Sequence, residues 1–189
     1  YLRRPDLKCR ISYRSDIPIK AGVAGSTALT VAMLYGLLEY LGAGVHKYHL
    51  AEMARYIELN FLRVVCGYQD AYMCTFGGLN YMDFQDKQFY REAEAELYAS
   101  VEPLHGYVPN LPFVLAHTGV QHSSGAVHKP IRERWLDGER EVREAYVRIG
   151  RLAREGKKAL LQQDWERLGR LMNHNHAIQR DLGGSGESN

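Results

Sequence analysis

The residues whose types and spacing suit them to chemistry lie in three places. Asp70 stands in CGYQDAYMCTFGGLNYMDF (66–84), a carboxylate among Gly67, Tyr68, Gln69 and Tyr72, ahead of a Gly77-Gly78 pair. A carboxylate so placed can accept, or merely orient, the proton of a substrate hydroxyl. Taken alone, an Asp before aromatic residues and a double glycine is a turn residue or a helix cap. Upstream, GVAGST (22–27) places Gly22 and Gly25 ahead of Ser26 and Thr27. A glycine-rich turn feeding a helix presents backbone N–H groups and the positive end of the helix dipole to an anion. The two hydroxyls add a phosphate contact and a Mg2+ ligand. The loop lacks the Gly-Lys-Ser/Thr ending of a Walker A motif and the G-x-G-x-x-G spacing of a dinucleotide fold; its plain alternative is a small-residue turn capping a core helix. Glu58 is the third candidate, a hard oxygen donor of the kind that suits Mg2+, or else a surface charge. A phosphate cradle, metal-holding oxygens and an orienting Asp are the parts that phosphoryl transfer needs.

Several elements must position these groups. KCRISYRS (8–15) alternates apolar and polar residues and predicts a strand with one wet face. After Asp16-Ile17-Pro18, apolar residues at 28, 31, 32, 34, 35, 38 and 41 predict a buried helix stopped at Gly42 or Gly44. Leu50, Met53, Ala54, Ile57 and Phe61 predict a second helix over about 49–62, with Glu52 and Glu58 off its apolar stripe. Residues 73–84 carry strand-like pieces broken at Gly77-Gly78, and 85–100 suggest a loop or short helix. PNLPFVLAHTGV (109–120) predicts a buried strand, and QHSSGAVHK (121–129) a polar linker. Two helices follow. The first, about 131–160, is expected to bury Val142, Tyr146, Ile149 and Ala153, with Glu139–Arg143 and Glu144–Arg148 pairs on its wet side. Asp164 is a plausible N-cap for the second, which runs to about Leu182.

Composition narrows the class. At 189 residues and 46% hydrophobic content the chain can bury a core as one domain or two small lobes. With 24 basic and 22 acidic residues it carries a net charge of +2, too close to balance for a nucleic-acid surface. Cys9, Cys66 and Cys74 form an odd set without CxxC spacing, which argues against a disulfide framework and a zinc site and fits a reducing cytoplasm. No apolar run reaches the roughly 18–20 residues of a membrane span, and no signal-peptide pattern opens the chain. His174 and His176 have no third metal-ligating partner in the sequence and read as surface residues.

The motifs resemble those of a known family. GVAGSTA is similar to the phosphate loop of the GHMP small-molecule kinases, roughly G-L-x-G-S-S-A, with Val23 for Leu and Thr27 for the second Ser. GYQDAYMCTFGGLNYMDF resembles the segment that carries the proposed catalytic Asp in their sugar-1-kinase branch. SSGAVHKPIRERWLDGEREV and the following GRLAREGKKALLQQDWERLGRLMNHNHAIQR match that branch in the same order. The resemblance implies an α+β, two-lobed fold, a ribosomal-S5-like lobe (1–100 here) and a ferredoxin-like lobe (101–189 here), each represented in part. It implies an ATP-dependent kinase of a small-molecule sugar, acting on the anomeric hydroxyl of glucuronate, with a heptose-phosphate or fucose-type kinase, or a non-catalytic fragment, as alternatives. Gly22, Gly25, Ser26 and Thr27 would cradle the ATP phosphates, Thr27 and Glu58 would help hold Mg2+, and Asp70 would be the base or hydroxyl-orienting group. Tyr72, Ser123, Ser124, Arg132 and Arg134 are candidate sugar contacts, the two arginines through a uronate carboxylate. The family's opening strands and late glycine-rich motif fall outside this sequence, and Ala71 stands where many members of the branch have Gln.

Overall fold

The computed structural model describes residues 6–18, 21–64, 66–87, 97–116 and 124–184. Helix α1 (Gly25–Tyr40) buries Val31, Leu34 and Leu38, spaced to share one face, against α2 (Lys47–Asn60) and α3 (Gln69–Phe76). Leu50, Met53, Ala54 and Ala71 complete that core. The α1 stop falls at Gly42, as expected. The Gly42 N–H donates to the Glu39 carbonyl and the Ala43 N–H to the Leu38 carbonyl, the paired bonds that close a helix through a left-handed residue. Helix α2 opens at His46, whose Nδ1 accepts from the His49 N–H at 3.2 Å. Beside its apolar stripe, α2 also buries Arg55 and the two residues expected off that stripe, Glu52 and Glu58.

Strands β1 (Asn80–Asp83) and β2 (Ser100–Pro103) form an antiparallel ribbon with Asn80 opposite Pro103 and Asp83 opposite Ser100. Only the second half of the strand pattern expected over 73–84 is therefore strand. Met73–Phe76 belongs to α3, because Ala71 and Tyr72 must face α1, α2 and the ribbon together, and a helix presents them so. Two expected strands do not form. Residues 8–15 are exposed without a ladder partner among the described residues, and so are 109–116, where Val114 is 94% and Leu115 86% exposed. A strand satisfies its backbone groups only across a partner, and β1 and β2 pair with each other. Residues 88–96 of the expected loop and 117–120 of the expected strand lie outside the described residues.

The C-terminal half is helical: α4 (Ser124–Leu136), α5 (Arg140–Leu161) and α6 (Trp165–Asp181). Helix α4 takes up most of the stretch expected as a linker, while 121–123 lie outside the described residues. The helix expected over 131–160 is two helices. At Gly138 the backbone adopts φ +83°, a conformation that costs other residues dearly, and the Glu139 N–H turns back to the Arg134 carbonyl. Glu139 consequently pairs with Arg134, not Arg143, and Glu144 with Arg140, not Arg148. Ile131, Val142, Ala145, Ile178 and Leu182 form this half's core, with Ile149 and Leu152 at its margin; Tyr146 and Ala153, expected inside, are exposed. Asp164 caps α6 as expected, its Oδ1 accepting from the Arg167 N–H at 3.0 Å. Asp164→Ala should lower the stability of this half by about 1 kcal/mol, read from urea unfolding followed by helical circular dichroism. No helix among the described residues is long and apolar enough to cross a membrane.

Candidate functional site

The phosphate-type loop closes onto α1 through Ala24, which stands at the helix N-cap with φ 57°. A left-handed conformation costs a non-glycine residue roughly 1–2 kcal/mol, and such strain collects where a chain is held for function. Ala24 offers no capping side chain, and no acidic residue occupies the first turn of α1. The first-turn N–H groups have no partner within the helix, and with the helix dipole they favour an anion. At Gly25 a Cβ would stand 3.2 Å from Ile17 Cγ2, a tight contact with the loop before it. Gly22 lies exposed at the turn before it.

Behind this loop, Glu58 of α2 faces the start of α1. Its carboxylate accepts from Thr27 Oγ1 at 2.8 Å and from Ser26 Oγ at 3.2 Å, so one acid ties both hydroxyls together across some thirty residues of chain. Thr27 and Glu58 are buried, whereas Ser26 is exposed at the loop surface. Burial pushes the Glu58 carboxyl above its ordinary range. The Thr27 and Ser26 hydrogen bonds oppose that shift, and the charge of Asp70 adds to it. Asp70 itself is exposed in the first turn of α3, where the helix dipole favours an anion. Its field also reaches the two neighbouring thiols. Cys74, which donates to the Ala24 carbonyl at 3.9 Å, is raised chiefly by burial and then by Asp70. Cys66 is pushed up to about 11 by burial and by Glu58, with Arg55 and Arg132 pulling the other way. Loop, Glu58, Asp70, both thiols and Arg132 thus share one neighbourhood. At pH 8 the iodoacetamide reaction of Cys66 should run on the order of a hundredfold slower than that of an ordinary thiol, as peptide mapping of the alkylated chain would show.

The oxygen set fits a hard cation. One carboxylate with two hydroxyls suits Mg2+, which binds through one or two protein oxygens plus substrate phosphates and water. Among the described residues no group of three His, Cys, Asp or Glu side chains gathers for a metal, and His174 and His176 are exposed.

The expected sugar contacts fare differently. Tyr72 is 0% exposed and belongs to the core: its hydroxyl donates to Glu52 and accepts from the Ala99 N–H at 3.0 Å. The expected sugar contact at Tyr72 thus falls on a buried side chain. Arg134 is likewise engaged. Its Nε and Nη2 grip Glu139 at 2.7 and 2.5 Å, and its Nη1 donates to the Leu182 carbonyl at 3.3 Å, which locks the α4–α5 corner to the end of α6. Arg132 is half-buried, and its charge reaches Cys66. Ser124 opens α4, and Ser123 lies outside the described residues. Sequence reasoning missed Glu52, Lys87 and Arg55, buried charges around Tyr68 and Tyr72; their one signal was the i, i+3, i+6 spacing of Glu52, Arg55 and Glu58 beside an apolar stripe.

The start of α1, the Glu58 carboxylate drawing Ser26 and Thr27 together and the exposed Asp70, whose charge reaches Glu58, form one cluster where α1, α2 and α3 meet. The family model described as the GHMP kinases N terminal domain matches residues 1–78. Glucuronokinase 1 of Arabidopsis thaliana is 33% identical over 177 residues, 92% of this chain and 47% of that protein. A galactokinase of Thermotoga maritima is 40% identical over 77 residues, 41% of this chain and 22% of its own length. D-glycero-alpha-D-manno-heptose 7-phosphate kinase of Campylobacter jejuni is 38% identical over 74 residues, 39% of this chain and 22% of its own. The chain spans about half the length of the plant glucuronokinase.

Proposed function

We propose that this chain is the phosphate-loop half of an ATP-dependent sugar kinase that phosphorylates the anomeric hydroxyl of glucuronate. The observation that carries the proposal is the Glu58 carboxylate held between Ser26 and Thr27 at the start of α1, with Asp70 in its field. A glucuronokinase 33% identical over 92% of the chain, against 30% for a galactokinase of Thermotoga neapolitana over the same share, supports the uronate reading. Residues 1–100 would then contribute to the phosphate-loop lobe and 101–189 to the second lobe.

In this mechanism the N–H groups of Gly25, Ser26 and Thr27 bind the phosphates, and Gly22 lets the turn close over them. Thr27 and Glu58 would hold Mg2+, which when bound neutralises phosphate charge and fixes its geometry. Asp70 faces the sugar, holding the reacting hydroxyl in line and taking its proton as the oxygen bonds to the γ-phosphorus of ATP and ADP leaves. Arg132 supplies a cation on the sugar side, suited to a uronate carboxylate.

A coupled ADP-release screen of the full-length protein tests this, with uronic acids, neutral hexoses and heptose phosphates as acceptors. Turnover with glucuronate, lost in Asp70→Asn, is expected. Activity on neutral sugars alone would overturn the uronate assignment, and ADP release with none of the acceptors would overturn the kinase.

A further inference from the structure

Asp70 is exposed and sits only two residues into a short helix, so the rotation of that helix sets where its carboxylate faces. Its two neighbours on the buried face, Tyr68 and Tyr72, are each gripped by buried charge. Lys87, from the connection that follows β1, pairs with Glu52 of α2; the two side chains are 2% and 1% exposed. The same Glu52 carboxylate receives the Tyr72 hydroxyl, and the Tyr72 oxygen in turn receives the Ala99 N–H just before β2. The Lys87 ammonium lies 4.4 Å from the centre of the Tyr68 ring, and the Arg55 guanidinium stands 3.8 Å from it. Tyr68 stacks on Phe84, and Tyr72 meets the same ring edge-on. A buried ion pair of this kind adds little net stability against a well-packed apolar pair, so its value lies in fixing one arrangement. Here both tyrosines bracketing Asp70 depend on it.

We propose that Lys87 and Glu52 are positioning residues for Asp70: through Tyr68 and Tyr72 their ion pair sets the rotation of α3, and with it the direction of the Asp70 carboxylate. The inference rests on the kinase reading for its catalytic consequence but not for its structural one. Neither residue touches substrate. The pair also ties the β1–β2 connection to the candidate site, because the Lys87 ammonium donates to the Leu97 carbonyl as well.

Lys87→Met alone leaves a buried carboxylate uncompensated and is expected to lower the melting temperature, so it cannot separate folding from positioning. The deciding variant is Glu52→Gln/Lys87→Met, which removes both charges while Gln keeps an acceptor for Tyr72. In the full-length protein labelled with 13C-aspartate, with the Asp70 signal assigned by its loss in Asp70→Asn, two readouts are compared with wild type. The melting temperature should return to within a few degrees of wild type, while the Asp70 carboxyl resonance and its pH midpoint move. In the ADP-release assay kcat should fall at least tenfold, with KM for ATP and sugar within twofold. A stable double variant with an unmoved Asp70 resonance overturns the positioning role, as does one with wild-type kcat. A moved resonance in a protein whose wild type shows no phosphoryl transfer overturns the kinase reading and leaves the positioning role standing.

Discussion

Asp70→Asn in the full-length protein should lower kcat on its sugar by about 10²–10⁴-fold while leaving KM for ATP within twofold and the melting temperature unchanged or slightly raised. The size follows from the role: an amide of the same shape can still donate to or accept from a hydroxyl, but it cannot take the proton as the oxygen attacks. The sparing of ATP binding follows from the geometry. Glu58 is held by its own hydrogen bonds from Ser26 and Thr27, and the Asp70 charge acts on it from beside that set. The sparing of the fold follows from exposure, since the carboxylate stands at the surface in the first turn of α3. Its removal even relieves like-charge pressure on Glu58, Cys66 and Cys74. Steady-state kinetics beside a thermal melt check the prediction, and wild-type turnover in the Asn variant would remove Asp70 from the mechanism.

The parts of the site visible in the sequence were those announced by backbone chemistry. Two glycines before two hydroxyls and an apolar helix specify a turn feeding a helix start, and α1 begins at Gly25. The inward face of α2 was hidden. Leu50, Met53, Ala54 and Ile57 mark one stripe, and a helix covered on one side would leave Glu52, Arg55 and Glu58 in water. Helices α1 and α3 both pack on α2, so the adjacent polar stripe turns inward as well, and its charges become the partners of Thr27, Tyr68 and Tyr72. Phe61, counted on the apolar stripe, lies past the end of that packing and is 70% exposed. Periodicity tells which residues share a face but not how many faces a neighbour will cover. The same limit explains 8–15 and 109–116: alternation or an apolar run describes a strand's side chains, while strand formation depends on a partner far away in the chain. In α5 the buried stripe follows Val142, Ala145, Ile149 and Leu152, sharing Val142 and Ile149 with the expected one and lying one position before Tyr146 and Ala153.

Glu58→Gln should separate stability from function. The Glu58 carboxyl titrates above its ordinary value of 4.5, since burial outweighs the two hydroxyl hydrogen bonds and Asp70 adds to it. A folded-state pKa above the unfolded one means that the contribution of Glu58 to stability is fully present below the unfolded pKa, about 4.3, and is lost as pH rises through the folded value. The Gln variant has no such loss. Without metal or nucleotide, the melting temperatures of the two proteins should therefore draw apart in favour of Gln between about pH 4 and neutrality, then run parallel. Gln keeps an oxygen that can accept from Thr27 or Ser26, but no charge to draw in a cation. Kinase activity in the full-length variant should consequently need about 10–100-fold more Mg2+ for half-maximal rate, or fail at any concentration. A stability gap of this sign with an altered Mg2+ requirement marks a group kept for chemistry at the expense of the fold. An unchanged Mg2+ requirement would leave Glu58 as a clasp between α1 and α2, and a Gln variant less stable than wild type at neutral pH would mean that its two hydrogen bonds outweigh the cost of the buried charge.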